Sequence, residues 1–232
     1  MIPAIAAERR VTDLEKEFWL DRWRANQIGF HQAEFNARLQ RHWPSLGVPE
    51  GASVFVPLCG KSRDMLWLAG RGHRVIGVEL SPLAAEAFFA EASAPHAHRQ
   101  SGPFAVFENE RIAVCCGDFF DLTVGDLRDV AGVFDRGALV ALPPPMRRRY
   151  AEHLLTILPR RARILLLTLE YDQALASGPP FSVQPDEVTQ LFAARCSVDL
   201  LERTLTQEMP PRFHAQGIRE ASESSYLITK ET

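Results

Sequence analysis

The sequence has no large excess of charge of either sign. Its 26 lysine and arginine residues nearly balance 29 aspartate and glutamate residues, which gives a net charge of −3 and a pI near 6.2. Domains that bind nucleic acids usually carry a strong basic excess. We therefore expect no nucleic-acid partner. We interpret the basic clusters Arg147–Arg149 and Arg160, Arg161 and Arg163 as solvated faces and turns.

Long apolar runs are also missing. No stretch approaches the roughly 18 residues that a membrane helix needs. The first residues, MIPAIAAERRVTD, lack a basic segment followed by a long apolar core. We expect neither a membrane partner nor a secretory signal, and hence a cytoplasmic protein whose residues 1–12 form a flexible leader.

Cysteine is too sparse for a disulfide framework. The four cysteines are Cys59, Cys115, Cys116 and Cys196, and two of them are adjacent and cannot readily bridge each other. No C-x-x-C pair or His/Cys cluster has the spacing of a zinc site. We therefore expect reduced thiols and no bound metal.

Short β-branched, apolar runs alternate with helical segments along most of the chain. The runs are SVFVP, HRVIGVE, RIAVCCGD, VAGVFD and RILLLTLE. Such alternation predicts an open, mostly parallel α/β sheet with helices on both faces. SSYLITK predicts a final strand at or beside a sheet edge. No repeat or linker interrupts the pattern, so we expect a single domain over residues 1–232.

The stretch PLCGKS ends like a phosphate-binding loop. That loop needs a glycine where this chain has Phe55, and Pro57 removes an amide donor from its middle. Cys59 is a candidate nucleophile, but no histidine has a spacing that pairs with it. We interpret Cys59 as a buried packing residue, and Lys61 and Ser62 as residues of a helix start.

Three strand-end loops outline a site for an adenosyl ligand without phosphates. Gly60 allows close backbone approach, and Leu58 offers an apolar edge. Glu79 ends the second strand, where an acidic residue can accept two hydrogen bonds from ribose hydroxyls; a helix-cap or surface carboxylate is the alternative. Asp118 beside Phe119 supplies an acceptor for an exocyclic amine and a flanking ring. Together these residues suggest S-adenosylmethionine.

Two further features each leave alternatives open. Arg136 follows the fourth strand and either forms a salt bridge with Asp135 or contacts a cofactor carboxylate or substrate. Trp19 and Trp23 lie one turn apart on the predicted helix LEKEFWLDRWRAN. They are either core residues of an amphipathic helix or part of the site.

Five segments together resemble the bacterial branch of the thiopurine S-methyltransferase family, in family order over about residues 17–230. They are FWLDRWRANQIGFHQ, VPLCGKSRDMLWLAGRGHRVIGVELS, CGDFFDL, FDRGALVALPP and LTLEYDQALASGPPFSV. The resemblance implies a class I methyltransferase (Rossmann-like) fold. That fold has a seven-stranded, mostly parallel sheet with the last strand antiparallel, and here also an N-terminal helical lid over the site.

The resemblance also implies S-adenosylmethionine as cofactor, S-adenosylhomocysteine as product, and a role for individual residues. Cofactor contacts would come from Trp19, Trp23, Phe30, Leu58, Gly60, Glu79, Asp118, Phe119 and Arg136. The substrate side would comprise Phe30, His31, Pro180, Phe181 and Arg212. Arg136 and Arg212 would be catalytic, by stabilising the anionic form of a thiol.

We therefore expect a monomeric enzyme that methylates the sulfur of thiopurines or other aromatic or heterocyclic thiols. The same site could instead methylate selenium or tellurium species, as in metalloid detoxification, or sulfide, small thiols or halide. From another class, a non-catalytic S-adenosyl-ligand binding protein is an alternative. A nicotinamide oxidoreductase is disfavoured because G-x-G-x-x-G is missing. No dedicated general base is expected, because a thiol with a pKa of ~8.5 is partly ionised near neutral pH.

Overall fold

The protein is built around a nine-stranded mixed sheet. The structure, a computed structural model, describes residues 16–206 and 211–231, and the predicted leader at residues 1–12 lies outside these ranges. The strands are β1 Ser53–Val56, β2 Arg74–Glu79, β3 Ala97–Ser101, β4 Phe104–Glu108, β5 Ile112–Cys116, β6 Val130–Arg136, β7 Arg163–Glu170, β8 Cys196–Thr206 and β9 Ala221–Lys230. Their spatial order is β3-β4-β5-β2-β1-β6-β7-β9-β8.

Helices cover both faces of this sheet. The helices that the structure describes are α1 over residues 16–24, α2 Ala37–His42, α3 Asp64–Gly70, α4 Pro82–Glu91, α5 Pro144–Ile157, α6 Pro185–Phe192 and α7 Pro211–Ala215. Apolar residues of α5 and α6 pack on one face, and those of α2, α3 and α4 on the other. Within the ranges that the structure describes, no helix has the length and apolar character to cross a membrane.

The class I methyltransferase arrangement predicted above is confirmed. Five strands, in the order β5-β2-β1-β6-β7, are parallel, and β9 runs antiparallel between β7 and β8. Strand β7 has buried residues on both of its faces, as expected where helices cover both sides of a parallel strand. The predicted final strand, SSYLITK, forms the last seven of the ten residues of β9, beside the edge strand β8.

The predicted count of seven strands is exceeded by a hairpin. Strands β3 and β4 pair antiparallel, and β4 adds to the edge of β5. The Gly102-Pro103 pair between two extended runs is a turn signal that marks this hairpin in the sequence. The hairpin widens the sheet at the edge away from β8 and leaves the seven-stranded core unchanged.

The basic cluster at the start of α5 is not wholly solvated, and our interpretation was wrong for Arg147. Arg148 and Arg149 are exposed as expected, but Arg147 is 0% exposed and forms an ion pair with Glu187. The reason is helical periodicity: Arg147 lies three and four residues before the buried Tyr150 and Ala151. Its position on the apolar stripe of α5 therefore decides its burial, although Arg148 and Arg149 beside it are charged and exposed.

Candidate active site

A cleft of about 1070 Å³ opens at the carboxyl ends of the parallel strands. Ligands bind at this end of open α/β sheets. The predicted site residues that line the cleft are Trp19, Trp23, Phe30, His31, Leu58, Gly60, Glu79, Asp118, Phe119, Arg136, Pro180 and Phe181. Arg212 lies on α7, but its side chain is outside the described part of the structure. The fold thus brings together residues spread over more than 160 positions of sequence.

The loop after β1 is wound tightly at the floor of the cleft. Leu58 has a φ of 45° and Gly60 a φ of 52°. A left-handed backbone is uncommon for leucine, and such conformations cluster at functional sites. A Cβ on Gly60 would lie 3.2 Å from Cζ2 of Trp23. Glycine therefore allows the ring of α1 to approach the loop closely.

Cys59, in the same loop, packs into the protein. It is 6% exposed, and burial raises the pKa of its thiol well above the ordinary value. Its Sγ lies over Gly77 of β2, so closely that a Cβ there would be 2.7 Å away. Lys61 pairs with Glu91 at 2.5 Å, and the Ser62 hydroxyl accepts from the backbone N–H of Asp64 at 3.3 Å. None of these contacts activates a nucleophile.

Glu79 connects the first two strand-end loops. Its Oε2 accepts from the backbone N–H of Gly60 and its Oε1 from that of Ser81, both at 2.8 Å. The residue is 7% exposed, which excludes the surface alternative. Burial raises the pKa of Glu79, and the two backbone donors oppose that rise. Each oxygen retains a lone pair, so the carboxylate can accept two further hydrogen bonds.

The loop after β5 presents a carboxylate and a ring. Asp118 Oδ1 accepts from the backbone N–H of Phe120 at 2.9 Å, which starts a short 3₁₀ turn. Phe119 is 6% exposed and is held against Phe55 and Tyr150, with ring centroids 6.5 and 4.8 Å apart. The ring is therefore rigid, as a platform for a planar ligand needs to be.

Aromatic residues form a cover over the cleft, which we call the lid and define as residues 16–31. Phe30 packs edge-on between Trp19 and Trp23, with centroid distances of 5.7 and 5.6 Å. All three rings are half-buried and line the cleft. The alternative interpretation, that the two tryptophans are core residues of an amphipathic helix, is therefore wrong. His31 ends the lid, and burial lowers the pKa of its imidazole, with Lys61 adding to that effect.

Arg136 faces the lid, and the alternative of a salt bridge to Asp135 is wrong. Asp135 is fully buried and accepts from the Tyr150 hydroxyl at 2.7 Å and from the N–H groups of Ala138 and Leu139. Arg136 Nη1 instead donates to the carbonyl oxygen of Phe30 at 3.2 Å. Within residues 16–206 and 211–231, the guanidinium makes no other hydrogen bond.

The charge of Arg136 is retained in this environment. Burial lowers the pKa of Arg136, against the opposing effect of Asp64 and Glu223, but arginine remains protonated in proteins. A guanidinium has five N–H donors, of which one is used by Phe30. A positive, multiply donating group therefore borders an otherwise largely apolar cleft.

Sequence comparison decides the family. The model of the family described as Thiopurine S-methyltransferase matches residues 14–231. A thiopurine S-methyltransferase of Nitrosospira multiformis is 49% identical over 219 residues, covering 94% of this chain and 100% of the relative. One from Pseudomonas fluorescens strain Pf0-1 is 48% identical over 215 residues, covering 93% and 99%.

The chain belongs to the thiopurine S-methyltransferase family.

The protein is therefore a methyltransferase, and S-adenosylmethionine is the methyl donor of this class. Solved structures agree at the level of fold. A Burkholderia thailandensis 1,6-didemethyltoxoflavin-N1-methyltransferase, solved with S-adenosylhomocysteine, has a TM-score of 0.63 at 17% identity and covers 97% of this chain and 90% of its own. An Anabaena variabilis S-adenosylmethionine-dependent methyltransferase has a TM-score of 0.63 at 13% identity, covering 93% and 95%.

Sequence reasoning missed several charged residues that line this methyltransferase cleft, and Lys16 and Asp64 illustrate why. Lys16 of the lid forms an ion pair with Asp118 Oδ2 at 2.6 Å. Asp64, at the start of α3, is 3% exposed and accepts from the backbone N–H of Asn36 at 2.8 Å. Burial raises the pKa of Asp64. Neither residue belongs to a strand-end loop, so the rule that located the other residues could not find them.

Proposed function

We propose that the protein transfers a methyl group from S-adenosylmethionine to the sulfur of thiopurines or other aromatic or heterocyclic thiols, giving S-methyl products and S-adenosylhomocysteine. The observation that carries the proposal is the position of Arg136. Its unused N–H donors border an aromatic-lined cleft that Glu79 also lines. An anionic sulfur and an adenosyl ligand fit these two groups side by side.

The residues present suit the cofactor. Glu79 would accept the ribose hydroxyls, because its two oxygens each retain a lone pair. Asp118 and Phe119 would hold the adenine, and Leu58 and Gly60 would pass along the adenosyl group. Trp19, Trp23 and Phe30 would cover it. When bound, S-adenosylmethionine supplies an electrophilic methyl group on a cationic sulfur.

The protein's own contribution to the reaction is alignment and charge. The lid rings exclude water, and holding two reactants in line supplies about 7–11 kcal/mol in favourable cases. Arg136, and Arg212 as a second candidate, would stabilise the thiolate and so raise the ionised fraction of the acceptor. Phe30, His31, Pro180 and Phe181 would border the acceptor. We assign no general base, because a thiol is already partly ionised near neutral pH.

The proposal extends to the state of the protein. We propose a cytoplasmic monomer that forms one methyltransferase domain over residues 1–232 and takes a small-molecule acceptor, with no nucleic-acid or membrane partner. The near balance of charge supports the absence of a nucleic-acid partner, since the sequence carries no basic excess.

The test is transfer of label from methyl-labelled S-adenosylmethionine to a panel of acceptors. The panel contains 6-mercaptopurine, thiophenol, sulfide, selenite, tellurite and iodide, with cofactor binding measured in parallel. Label on the first two acceptors supports the proposal. Label only on the others would replace the acceptor class, and cofactor binding without transfer to any acceptor would indicate a binding protein.

A further inference from the structure

A buried arginine lies behind the acceptor end of the cleft. Arg147 is 0% exposed, and its Nη1 donates to both carboxylate oxygens of Glu187 at 2.7 and 2.6 Å. Its Nε donates to the carbonyl oxygen of Leu142 at 2.9 Å. Glu187 is 28% exposed, so only the arginine of this pair is fully buried. Removing a charge from water is unfavourable even when it is paired, so such a pair is weak evidence for a role in stability.

The guanidinium also contacts the wall of the cleft. Its Cζ lies 5.8 Å from the centroid of the Phe181 ring, within the range of a cation–π contact. Arg147 is not among the residues that line the cleft, whereas Phe181 and Leu142 are. The arginine therefore acts from behind, on residues that a ligand would touch.

The cleft wall around Phe181 connects the loops that follow β6 and β7. The backbone N–H of Phe181 donates to the carbonyl oxygen of Val140 at 2.6 Å, and the Tyr171 hydroxyl donates to that of Pro180 at 2.7 Å. Val140 and Leu142 follow β6, whereas Pro180 and Phe181 follow β7. Arg147 contacts both loops, through the Leu142 carbonyl and the Phe181 ring, and Glu187 connects it to α6.

We infer that Arg147 is a positioning residue for the acceptor: it fixes the ring of Phe181 and so sets the width of the pocket for a planar thiol. The inference rests on the proposed thiol methyltransferase function. The Nη2 atom of Arg147 is buried and has no hydrogen-bond partner among the described residues. The guanidinium thus leaves part of its hydrogen-bonding capacity unused while its planar group faces a ring.

The test removes both charges together, so that no buried charge is left uncompensated. The double variant Arg147→Met/Glu187→Met replaces the ion pair with apolar side chains of similar size, a change that proteins often tolerate. Arg148→Met, at the exposed neighbour of Arg147, is the matched control. Arg147→Lys, which retains a charge for Glu187 but not the planar fork, serves if the double variant fails to fold.

The first readout is hydrogen exchange over residues 177–183, which needs no substrate. We expect the Phe181 amide to exchange faster in the double variant and in Arg147→Lys, and at the wild-type rate in Arg148→Met. The second readout is kinetic. We expect the KM for 6-mercaptopurine and thiophenol to rise about tenfold, which lies between the effects of an exposed and a desolvated cation–π contact. The KM for sulfide and the cofactor Kd should stay unchanged.

A cycle with Phe181→Leu separates positioning from general loosening. If Arg147 acts through the ring, the double variant adds little to the KM increase that Phe181→Leu already causes. Unchanged exchange in residues 177–183, or equal KM increases for aromatic thiols and sulfide, would overturn the inference. If the wild-type protein methylates no thiol, the proposed function fails, and the exchange comparison alone decides the role of Arg147.

Discussion

The two halves of the cleft are built in different ways. The loops after β1, β2 and β5, which we call the cofactor side, are joined mainly by backbone N–H groups and a carboxylate, as in the contacts of Glu79 with Gly60 and Ser81. The loops after β6 and β7, which we call the acceptor side after the proposal above, also have a carboxylate and backbone bonds, at Asp135 and between Phe181 and Val140. They depend in addition on long side chains from elsewhere, such as Arg147 and Glu187. Backbone contacts persist when side chains are replaced, whereas a wall held by side chains can change its shape through single substitutions.

The largest effect is expected on the acceptor side. Arg136→Ala should lower kcat/KM for thiols about 100- to 1000-fold, because it removes a charged donor set whose loss is of the size seen for oxyanion-stabilising groups. Cys59→Ala is the comparison, and it should change kcat/KM less than about fivefold, since its loss affects packing rather than the site. Steady-state kinetics with 6-mercaptopurine measures both. Comparable losses in the two variants would contradict the role of Arg136.

On the cofactor side, Glu79→Gln should weaken binding of S-adenosylmethionine about 100-fold. The glutamine side chain would place its NH₂ group against the backbone N–H of either Gly60 or Ser81, so one hydrogen bond is lost. Hydrogen bonds to a charged group contribute about 1.5–3 kcal/mol each. Titration calorimetry measures the Kd. Glu91→Gln, at the exposed partner of Lys61, is the control and should bind normally. An unchanged Kd for Glu79→Gln would show that the carboxylate is only structural.

The residues of the cleft also show what the sequence could and could not predict. Glu79 ends β2 and Asp118 follows β5, and the rule that the carboxyl ends of parallel strands meet at one edge sufficed to bring them together. Lys16 and Asp64 reach the cleft from helices, where no local pattern marks a residue that points inward. The run of three arginines wrongly predicts a solvated Arg147, although the spacing of Arg147 to Tyr150 and Ala151 places it on the buried stripe of α5. The sequence does not predict the β3–β4 hairpin, because its only local signal is the Gly102-Pro103 turn.

Asp135, buried near the end of β6 beneath the acceptor side, should make the stability of the protein depend on pH. Burial raises its pKa to about 6, so the folded protein binds more protons than the unfolded chain between about pH 4 and pH 6. Stability should therefore fall as the pH rises through this window, by up to about 3 kcal/mol for a shift of two units. Asp135→Asn should flatten this part of the profile, measured by urea unfolding at several pH values. An equally steep profile in the variant would assign the slope to other groups.

The smallest effect is expected where the lid meets the cofactor side. Lys16→Met should weaken S-adenosylmethionine binding only about two- to fivefold, because partly exposed ion pairs contribute about 0.2–1 kcal/mol. The difference between variant and wild type should shrink at high salt. Arg24→Met, which removes a lid charge that pairs with Glu17 and Asp21, is the control. Tighter binding by Lys16→Met would mean that the lysine competes with the ligand for Asp118.

The hydrogen bond from Arg136 to Phe30 has a consequence for how the family can diversify. The acceptor of this bond is a main-chain carbonyl, so replacing the Phe30 side chain leaves it available. The Phe30 ring can therefore change to suit a new acceptor. The direction of the Arg136 guanidinium stays the same as long as the backbone keeps its course. An insertion or deletion between Trp23 and Phe30 would do the reverse, moving the carbonyl and redirecting Arg136. Chimeras that exchange whole lids of equal length should thus keep catalytic competence, whereas lids of altered length should not.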